Sequence, residues 1–375
     1  MTRPILPPAT IGMLGGGQLG RYALVAAKLM GYRTMVLEPD PQAPAGAVAD
    51  EHLVAAYDDE AALTRLGDEC AVVTTEFENP PAAALESLAR RTNVAPSPAA
   101  VAIAQDRIRE KAFLGGAGIP IGPYGVVDTS SANPSIGYPA ILKTARLGYD
   151  GKGQRTVADA SEMRAAWRLL GSVPCVLETA LDLTTEISVV VARTANGSFA
   201  SFPVAQNDHV DGILDVTTVP AQVAPVLADR AAGLGLAIAD ALDYVGVLAV
   251  EFFVVDDDLV VNELAPRPHN SGHWTLDVSQ TSQFEQQIRA VCGLALGDTS
   301  MTKPGAAMVN LIGDLWDAGE PDWSAALTGG TTALHLYGKA AARSGRKMGH
   351  LTSWAVTPGA ARLAAVEARR AVTRP

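Results

Sequence analysis

Two apolar runs that flank three consecutive aspartates constrain the fold of this chain more than any other part of its sequence. The runs cover residues 247–255 and 259–265, and both are rich in β-branched side chains. Side chains of this type favour strands, and the aspartates between them favour a tight turn. The pattern predicts an antiparallel hairpin whose turn is centred on Asp257. We therefore expect a sheet that buries both strands.

Two glutamates interrupt the apolar runs of this hairpin. Glu251 and Glu263 lie directly opposite each other if the turn is centred on Asp257. Like charges that face each other across a ladder destabilise a sheet, and a divalent cation reverses that effect. Mg²⁺ prefers oxygen ligands, and Asn262 supplies a further oxygen. The hairpin therefore predicts a metal site; the alternative is a pair of glutamates at solvent-facing strand ends.

A polar loop follows the hairpin immediately. The segment APRPHNSGHW contains Arg267, His269, Asn270, Ser271 and His273. An arginine, two imidazoles and short polar groups can together bind an oxyanion. The alternative is that these histidines are structural or lie on the surface.

The first of two glycine-rich segments lies near the N-terminus. Gly15, Gly17 and Gly20 separate a predicted strand from a predicted helix, and Glu38 ends the next strand. This GxGxxG pattern lets a phosphate approach backbone N–H groups at a helix N-terminus. Taken alone, it indicates either a dinucleotide site or a tight turn without a cofactor.

The second glycine-rich segment, residues 144–156, lies between two predicted strands. It contains Gly148, Gly151 and Gly153, and Lys143 ends the strand before it. A flexible loop of this kind can fold over a polyphosphate and offer N–H donors while lysine neutralises charge. The Walker A pattern is absent. The alternative is a mobile hairpin tip without a ligand.

Composition excludes several classes of protein. The chain of 375 residues has 29 Lys and Arg against 40 Asp and Glu, a net charge of −11. We therefore expect no binding of nucleic acid or anionic membrane through the general surface. No apolar run reaches the roughly 18–20 residues of a membrane span, and the N-terminus lacks a signal-peptide pattern. The three cysteines are odd in number and far apart, so we expect a cytoplasmic protein without disulfides.

The order of predicted elements divides the chain into three regions. Strands alternate with helices up to about residue 100, which favours a doubly wound parallel α/β unit. Antiparallel strands dominate from about residue 138, and a third region follows residue 300. The predicted strands are residues 10–15, 34–38, 71–76, 138–144, 154–157, 175–179, 186–193, 198–205, 247–255, 308–313 and 331–339. The predicted helices are residues 20–30, 161–170, 222–242 and the tail after Pro358.

Together these motifs resemble the ATP-grasp superfamily. More narrowly, the segments GGGQLGR, GYDGKGQ, NELAPRPHNSGHW and GRKMGHL are similar to the N5-carboxyaminoimidazole ribonucleotide synthetase family, over about residues 10–352. The resemblance implies an N-terminal Rossmann-like (pre-ATP-grasp) domain over residues 1–104. A central ATP-grasp domain then covers 105–300, with a glycine-loop lid at about 120–190. A small C-terminal domain at 301–375 completes the substrate site.

The resemblance also implies which residues bind ATP and metal. Arg107 and Lys143 contact phosphates, Glu186 takes the ribose hydroxyls, and Glu251 and Glu263 hold Mg²⁺, or Mn²⁺ as a substitute, beside Asn262. The segment 178–181 follows the adenine, and His209 lies beside the nucleotide. The implied ATP-binding residues are Arg107, Lys143, Gly148, Tyr149, Asp150, Gly151, Lys152, Gly153, Gln154, Glu178, Thr179, Ala180, Leu181, Glu186, His209, Asn262 and Glu263.

A ribonucleotide and its phosphate are implied as the second ligand. The first glycine turn helps to hold this substrate rather than NAD, and the basic cluster around RSGRK binds its 5′-phosphate. The implied substrate residues are Gly17, Gln18, Leu19, Glu76, Tyr149, Asp150, Arg267, His269, Asn270, Ser271, His273, Lys339, Arg346 and Lys347. The implied catalytic residues are Arg267, Lys143 and His273.

The activity implied is the ATP- and bicarbonate-dependent carboxylation of 5-aminoimidazole ribonucleotide through carboxyphosphate, in purine biosynthesis. The resemblance also implies a homodimer. Three other functions stay open: a related ligase such as formate-dependent glycinamide ribonucleotide transformylase, an NAD-dependent oxidoreductase, and a non-catalytic nucleotide-binding protein. The intact set of Lys143, Glu251, Asn262, Glu263 and Arg267 argues against the last of these, since a site that has lost its activity needs no paired carboxylates.

Overall fold

The computed structural model describes residues 3–129, 132, 134–148 and 150–372. Tyr149, an expected ligand of both substrates, lies outside the described residues. Within the described part of the chain, no helix is both long and apolar enough to cross a membrane.

The N-terminal sheet is parallel and has five strands in the order β3-β2-β1-β4-β5. One face packs Ile11 and Met13 against Leu24, and the other packs Leu37 against Leu66. Helices therefore cover both faces, as the alternation of strands and helices predicts. The elements are β1 (Thr10–Leu14), α1 (Gln18–Leu29), β2 (Arg33–Leu37), β3 (Glu51–Leu53), α2 (Glu60–Glu69), β4 (Val72–Thr75), α3 (Ala82–Ala89), β5 (Asn93–Val94), α4 (Pro98–Ala104) and α5 (Arg107–Gly116).

A small antiparallel sheet follows, with four strands in the order β6-β9-β7-β8. Its elements are β6 (Tyr124–Val127), β7 (Ala140–Thr144), β8 (Gln154–Val157), α6 (Ala160–Leu169) and β9 (Cys175–Thr179). Strands β7 and β8 pair antiparallel, so the second glycine-rich segment joins neighbouring strands. Lys143 is on β7 and Glu178 is on the adjacent β9.

The third sheet has nine strands and carries Glu186, His209, Glu251, Glu263 and Lys347 of the expected site residues. Its order is β15-β14-β10-β12-β13-β16-β18-β17, with β11 paired to β10. Helix α7 covers one face through Leu227 and Ile238. The elements are β10 (Thr185–Arg193), β11 (Phe199–Ser201), β12 (Ala205–Val210), β13 (Ile213–Val219), α7 (Pro225–Ala241), β14 (Gly246–Val255), β15 (Asp258–Ala265), α8 (Thr275–Val278), α9 (Gln283–Val291), β16 (Gly305–Ile312), α10 (Trp323–Ala326), β17 (Thr332–Leu336), β18 (Lys347–Ala355) and α11 (Pro358–Ala371).

Three expectations about individual elements need correction. The hairpin turn consists of Asp256 and Asp257, which both have positive φ, so it is centred between them and not on Asp257. Val255 pairs with Asp258 accordingly. The predicted strand at 198–205 ends at Ser201, and β12 begins at Ala205. Helix α1 begins at Gln18, two residues before the predicted start. Gly17 is its N-cap, and Gly20 already lies in its first helical turn.

The C-terminal tail, which contributes nothing to the family resemblance, is an integral part of the third sheet. Ala361 and Ala365 of α11 pack without exposed surface against Val309 and Leu351. Arg369 also pairs with Asp215 on β13. The small side chains let the helix approach the sheet closely, so α11 closes this end of the core.

We expect Ala365→Leu to lower the free energy of unfolding by about 1–3 kcal/mol, because extra methylenes cannot fit a packed interface. Leu363→Ala on the same helix is the matched control, since Leu363 is 65% exposed. Its effect should stay within about 0.5 kcal/mol. Urea unfolding followed by circular dichroism measures both. Equal stability of the two variants would contradict the packing assigned to α11.

Candidate active site

The predicted opposition of Glu251 and Glu263 is confirmed, and a β-bulge produces it. Phe252 pairs with Val261 whereas Glu251 pairs with Glu263, so Asn262 is the extra residue of β15. A bulge re-aims the side chains beside it. Asn262 and Glu263 can therefore both face the site, although consecutive residues of a regular strand point to opposite faces.

Each glutamate of this hairpin lies beside a nitrogen-bearing side chain. Arg107 Nη2 is 2.6 Å from Glu263 Oε2, and His269 Nε2 is 3.1 Å from Glu251 Oε1. Burial alone would raise the pKa of Glu263, but Arg107 and Lys143 outweigh burial and lower it to about 2. Glu263 is therefore ionised at neutral pH and is a competent oxygen ligand.

Lys143 lies next to the hairpin and is bound by Glu178. Its Nζ donates to Glu178 Oε2 at 2.8 Å and to Asn262 Oδ1 at 3.4 Å. Burial would raise the pKa of Glu178, but Lys143 and Lys111 outweigh it and lower the pKa. The structure thus brings the expected phosphate ligands Lys143 and Arg107 close to Asn262 and Glu263, the expected metal ligands.

Two charged residues of α5 belong to this group and were not expected from sequence. Lys111 Nζ is 3.3 Å from Glu178 Oε1 and donates to the Asn262 carbonyl at 3.1 Å. Glu110 accepts a hydrogen bond from Leu264 N at 3.2 Å. Burial raises the pKa of Glu110 to about 8, although Arg107 and Lys111 lower it. The spacing of Arg107, Glu110 and Lys111, one helical turn, is the signal that could have identified them.

The segment 178–181, expected along the adenine, begins in the last two residues of β9 and is held by backbone hydrogen bonds. Thr179 N donates to the Pro123 carbonyl at 3.1 Å, and Ala180 N donates to the Pro139 carbonyl at 3.0 Å. Leu181 lies over Gly122. These contacts fix the course of 178–181 between the two sheets.

The expected ribose end of the site borders a cavity of about 570 Å³. Of the expected ATP ligands, Glu186 and His209 line this cavity. His209 Nδ1 is 3.0 Å from Glu186 Oε2. Burial alone would lower the pKa of His209, but the Glu186 carboxylate outweighs it and raises the pKa. The volume is within the usual range for a small-molecule site.

The second glycine loop contacts two other parts of the chain. A Cβ at Gly212, in the β12–β13 turn, would be 2.7 Å from Gly151 Cα, and one at Gly151 would be 2.9 Å from the Asp211 carbonyl. Both glycines have positive φ. Lys347 Nζ donates to Asp150 Oδ1 at 2.7 Å. The loop therefore lies against the β12–β13 turn and the basic C-terminal segment. Gln154 follows the loop on β8 and pairs with Lys143.

The expected phosphate ligands of the second substrate are close together. Lys339 Nζ donates to the Lys347 carbonyl at 2.6 Å and lies 5.4 Å from the centroid of the Tyr337 ring. Arg346 Nη1 donates to the Ala341 carbonyl at 2.9 Å. Burial, with Arg346 nearby, lowers the pKa of Lys339 to about 8. Lys339 is therefore mostly charged at neutral pH.

In the loop after the hairpin, His269 contacts Glu251, whereas Asn270, Ser271 and His273 are buried. His269 Nδ1 is 2.9 Å from Ser271 Oγ, and Ser271 Oγ accepts from Ser188 Oγ at 2.8 Å. Asn270 Nδ2 donates to Asn310 Oδ1 at 3.1 Å. His273 has no exposed surface, and burial lowers its pKa well below the usual range. The structure thus places Asn270, Ser271 and His273 in supporting positions, and direct substrate contact by His273 stays a prediction.

Arg267 and the first glycine turn lie on the N-terminal side of the site. Arg267 pairs with Glu78, which sequence reasoning missed because it follows β4 without a recognisable motif. Gly17 N and Gly20 N donate to the Glu76 carboxylate at 2.9 and 3.2 Å. Burial raises the pKa of Glu76 despite these two donors. Leu19 is buried in the core.

This arrangement bears on the dinucleotide alternative. The N-terminus of α1, where a pyrophosphate would bind, already holds the Glu76 carboxylate. Gly16 N donates to Glu38 Oε2 at 2.8 Å, and Tyr57 donates to the same oxygen. The backbone N–H groups of this turn thus already donate to the carboxylates of Glu38 and Glu76, which disfavours NAD binding.

Three family models match successive parts of the chain. They are the ribonucleotide synthetase preATP-grasp domain at 8–105, the ATP-grasp domain at 112–284 and the phosphoribosylaminoimidazole carboxylase C-terminal domain at 306–363. N5-carboxyaminoimidazole ribonucleotide synthase of Brucella melitensis is 47% identical over 92% of this chain and 96% of its own. This chain belongs to the N5-carboxyaminoimidazole ribonucleotide synthase family.

Solved structures of this family agree with the fold. An ADP complex of N5-carboxyaminoimidazole ribonucleotide synthetase has a TM-score of 0.92 and 40% identity, with 98% of each chain covered. The Aspergillus clavatus N5-carboxyaminoimidazole synthase, in complex with ADP and 5-aminoimidazole ribonucleotide, has a TM-score of 0.88 and 29% identity over 98% of this chain and 99% of its own. The ATP-grasp fold with a preATP-grasp domain and a distinct C-terminal domain is therefore confirmed.

We expect Gly212→Ala to weaken binding of Mg-ADP by about tenfold, because its Cβ would displace the glycine loop, which we expect to close over the phosphates. Gly197→Ala is the matched control: Gly197 has φ of 82°, and nothing lies within 4 Å of its added Cβ. Both variants carry the same backbone strain, of about 1–2 kcal/mol. Isothermal titration calorimetry measures the affinities. Equal weakening in both variants would show that strain, and not the contact with Gly151, is responsible.

Proposed function

We propose that this chain catalyses the ATP- and bicarbonate-dependent carboxylation of 5-aminoimidazole ribonucleotide to N5-carboxyaminoimidazole ribonucleotide, with release of ADP and phosphate. One observation carries this proposal. Two groups of cations suited to phosphates, Arg107 with Lys143 and Lys339 with Lys347, flank one glycine loop, and Asp150 of that loop pairs with Lys347. A reaction between ATP and a second phosphorylated substrate needs such a double arrangement.

Mg²⁺ suits the oxygen donors of the hairpin. Glu251 and Glu263 are a cross-strand pair of carboxylates, and Asn262 adds an amide oxygen beside them. Hard cations prefer this donor set, so these three residues would hold Mg²⁺, or Mn²⁺ in its place. The bound ion would neutralise charge on the nucleotide phosphates. Arg107 is the present partner of Glu263, and it would be available to a phosphate if a metal ion took its place there.

The chemical step requires alignment and exclusion of water. Bicarbonate is a poor electrophile, and transfer of the γ-phosphoryl group to a bicarbonate oxygen gives carboxyphosphate and ADP. Carboxyphosphate then releases phosphate and CO₂, and the 5-amino nitrogen of the ribonucleotide bonds to CO₂ while its proton passes to the phosphate. Lys143 and Arg267 stabilise the anions, and the loop 148–154 excludes water, which destroys carboxyphosphate.

The ribonucleotide is held between the N-terminal and C-terminal parts of the chain. Lys339, Arg346 and Lys347 bind its 5′-phosphate, and Glu76, Asp150 and Arg267 contribute to the rest of its site. The support is the proximity of the three cations, which otherwise repel one another in a partly buried position. The domain limits 1–104, 105–300 and 301–375 and the homodimeric state are part of the same proposal.

The test is ADP release from Mg-ATP with 5-aminoimidazole ribonucleotide and bicarbonate added separately and together. We expect turnover only with both, an acid-labile carboxylated product, and loss of turnover by more than about 100-fold in Glu263→Ala. Glu285→Ala, which removes a surface ion pair of α9, is the control and should retain activity.

Two other results would overturn the assignment. ADP release that requires formate and glycinamide ribonucleotide would indicate the transformylase, and binding of ATP without any release would indicate a non-catalytic protein. Full activity of Glu263→Ala would contradict the metal site.

We expect Lys339→Met to raise KM for the ribonucleotide about tenfold, the effect of one lost charge-assisted hydrogen bond, and to leave KM for ATP within about twofold. In the unaltered chain, KM for the ribonucleotide should rise as pH passes about 8, because Lys339 then loses its proton. The variant should lack this rise. Arg343→Met, which removes an exposed charge from the same segment, is the control. Equal effects of Lys339→Met on both KM values would remove Lys339 from the phosphate site.

A further inference from the structure

Lys111 completes a ring of buried polar contacts around Lys143. Glu178 lies between the two lysines, 2.8 Å from Lys143 Nζ and 3.3 Å from Lys111 Nζ. Asn262 closes the other side, since its carbonyl accepts from Lys111 at 3.1 Å and its Oδ1 accepts from Lys143 at 3.4 Å. The ring therefore joins α5, the four-stranded sheet of β6–β9 (the lid sheet) and the hairpin of β14 and β15 (the metal hairpin).

The charges of this ring do not cancel. It contains two ammonium groups and one carboxylate, and the side chains of Lys111, Lys143 and Glu178 are 3%, 9% and 10% exposed. Arg107 and Glu263 already neutralise each other. Within the ring, the one carboxylate of Glu178 therefore serves two buried lysines, and an anion that approaches them finds a cationic environment.

Geometry shows how the single carboxylate is divided. Lys143 has a hydrogen bond to one oxygen of Glu178, and Lys111 has an ion-pair contact with the other. Without Lys111, Glu178 would neutralise Lys143 alone. A phosphate would then have to displace a complete buried ion pair before it could reach Lys143.

We propose that Lys111 is a positioning residue that shares Glu178 with Lys143 and so keeps Lys143 available to a nucleotide phosphate. This rests on the proposed function only in taking Lys143 as a phosphate ligand. Lys111 acts through Glu178, so its effect must depend on the charge of Glu178. A direct phosphate ligand, or a residue that only stabilises the fold, carries no such dependence.

The experiment is a double-mutant cycle on Mg-ADP binding, measured by isothermal titration calorimetry. Lys111→Met should raise Kd by about tenfold in the unaltered chain and by less than about threefold in Glu178→Gln, because the captured carboxylate is then absent. An equal loss in both backgrounds would overturn the proposal. Lys111→Arg keeps the charge and should restore Kd to within about threefold of the unaltered chain; failure to restore it would also count against the proposal.

Two further measurements keep the proposal testable. Lys28→Met, which removes an exposed lysine paired with Asp50, controls for loss of a lysine and should leave Kd unchanged. If Lys111→Met does not fold, Glu178→Gln alone decides: it should tighten binding of inorganic tripolyphosphate severalfold, and weaker binding would overturn the proposal. Carboxylation enters neither measurement, so the proposed function can fail while this inference stands, and the reverse.

Discussion

Mutual neutralisation of opposite charges inside the site is the interaction on which the rest of this structure depends. Arg107 pairs with Glu263, Lys143 with Glu178, and Lys347 with Asp150. None of these side chains is more than about a third exposed. A charge in such a position is costly unless an opposite charge lies beside it, so the unliganded chain sets its own acids against its own bases. Around Lys143, the one carboxylate of Glu178 serves Lys111 as well. In the proposed reaction, magnesium and nucleotide would together bring both signs of charge, so these partners could be exchanged for ligand groups of the same sign.

Much of the fold could be predicted from local patterns. The hairpin at 246–265, the parallel N-terminal sheet and the glycine loop between β7 and β8 follow from apolar periodicity and from turn residues. The opposition of Glu251 and Glu263 was also predicted, but with the centre of the hairpin turn half a residue too far along the chain. The bulge at Asn262 corrects that offset. A bulge is set by what surrounds the strand, and a single sequence carries no clear signal for it.

The residues that sequence reasoning missed act through tertiary contacts. Lys111 and Glu110 read as ordinary charged positions of a short helix, and their burial arises only when α5 docks against the lid sheet and β15. The carboxylate of Glu76 reaches the first turn of α1 from a strand some 56 residues away along the chain. Its presence there explains why a GxGxxG segment need not bind a dinucleotide: the donors of the helix terminus are already used.

The nine-stranded sheet supplies only one part of the site. One ladder runs from the hairpin of β14 and β15 through β13 to β18, which begins at Lys347. Lys143 and Glu178 belong to the separate sheet of four strands. The hydrogen bond from Lys143 to Asn262 therefore exists only while the two sheets keep their relative position, so the placement of one sheet against the other is itself a part of the site.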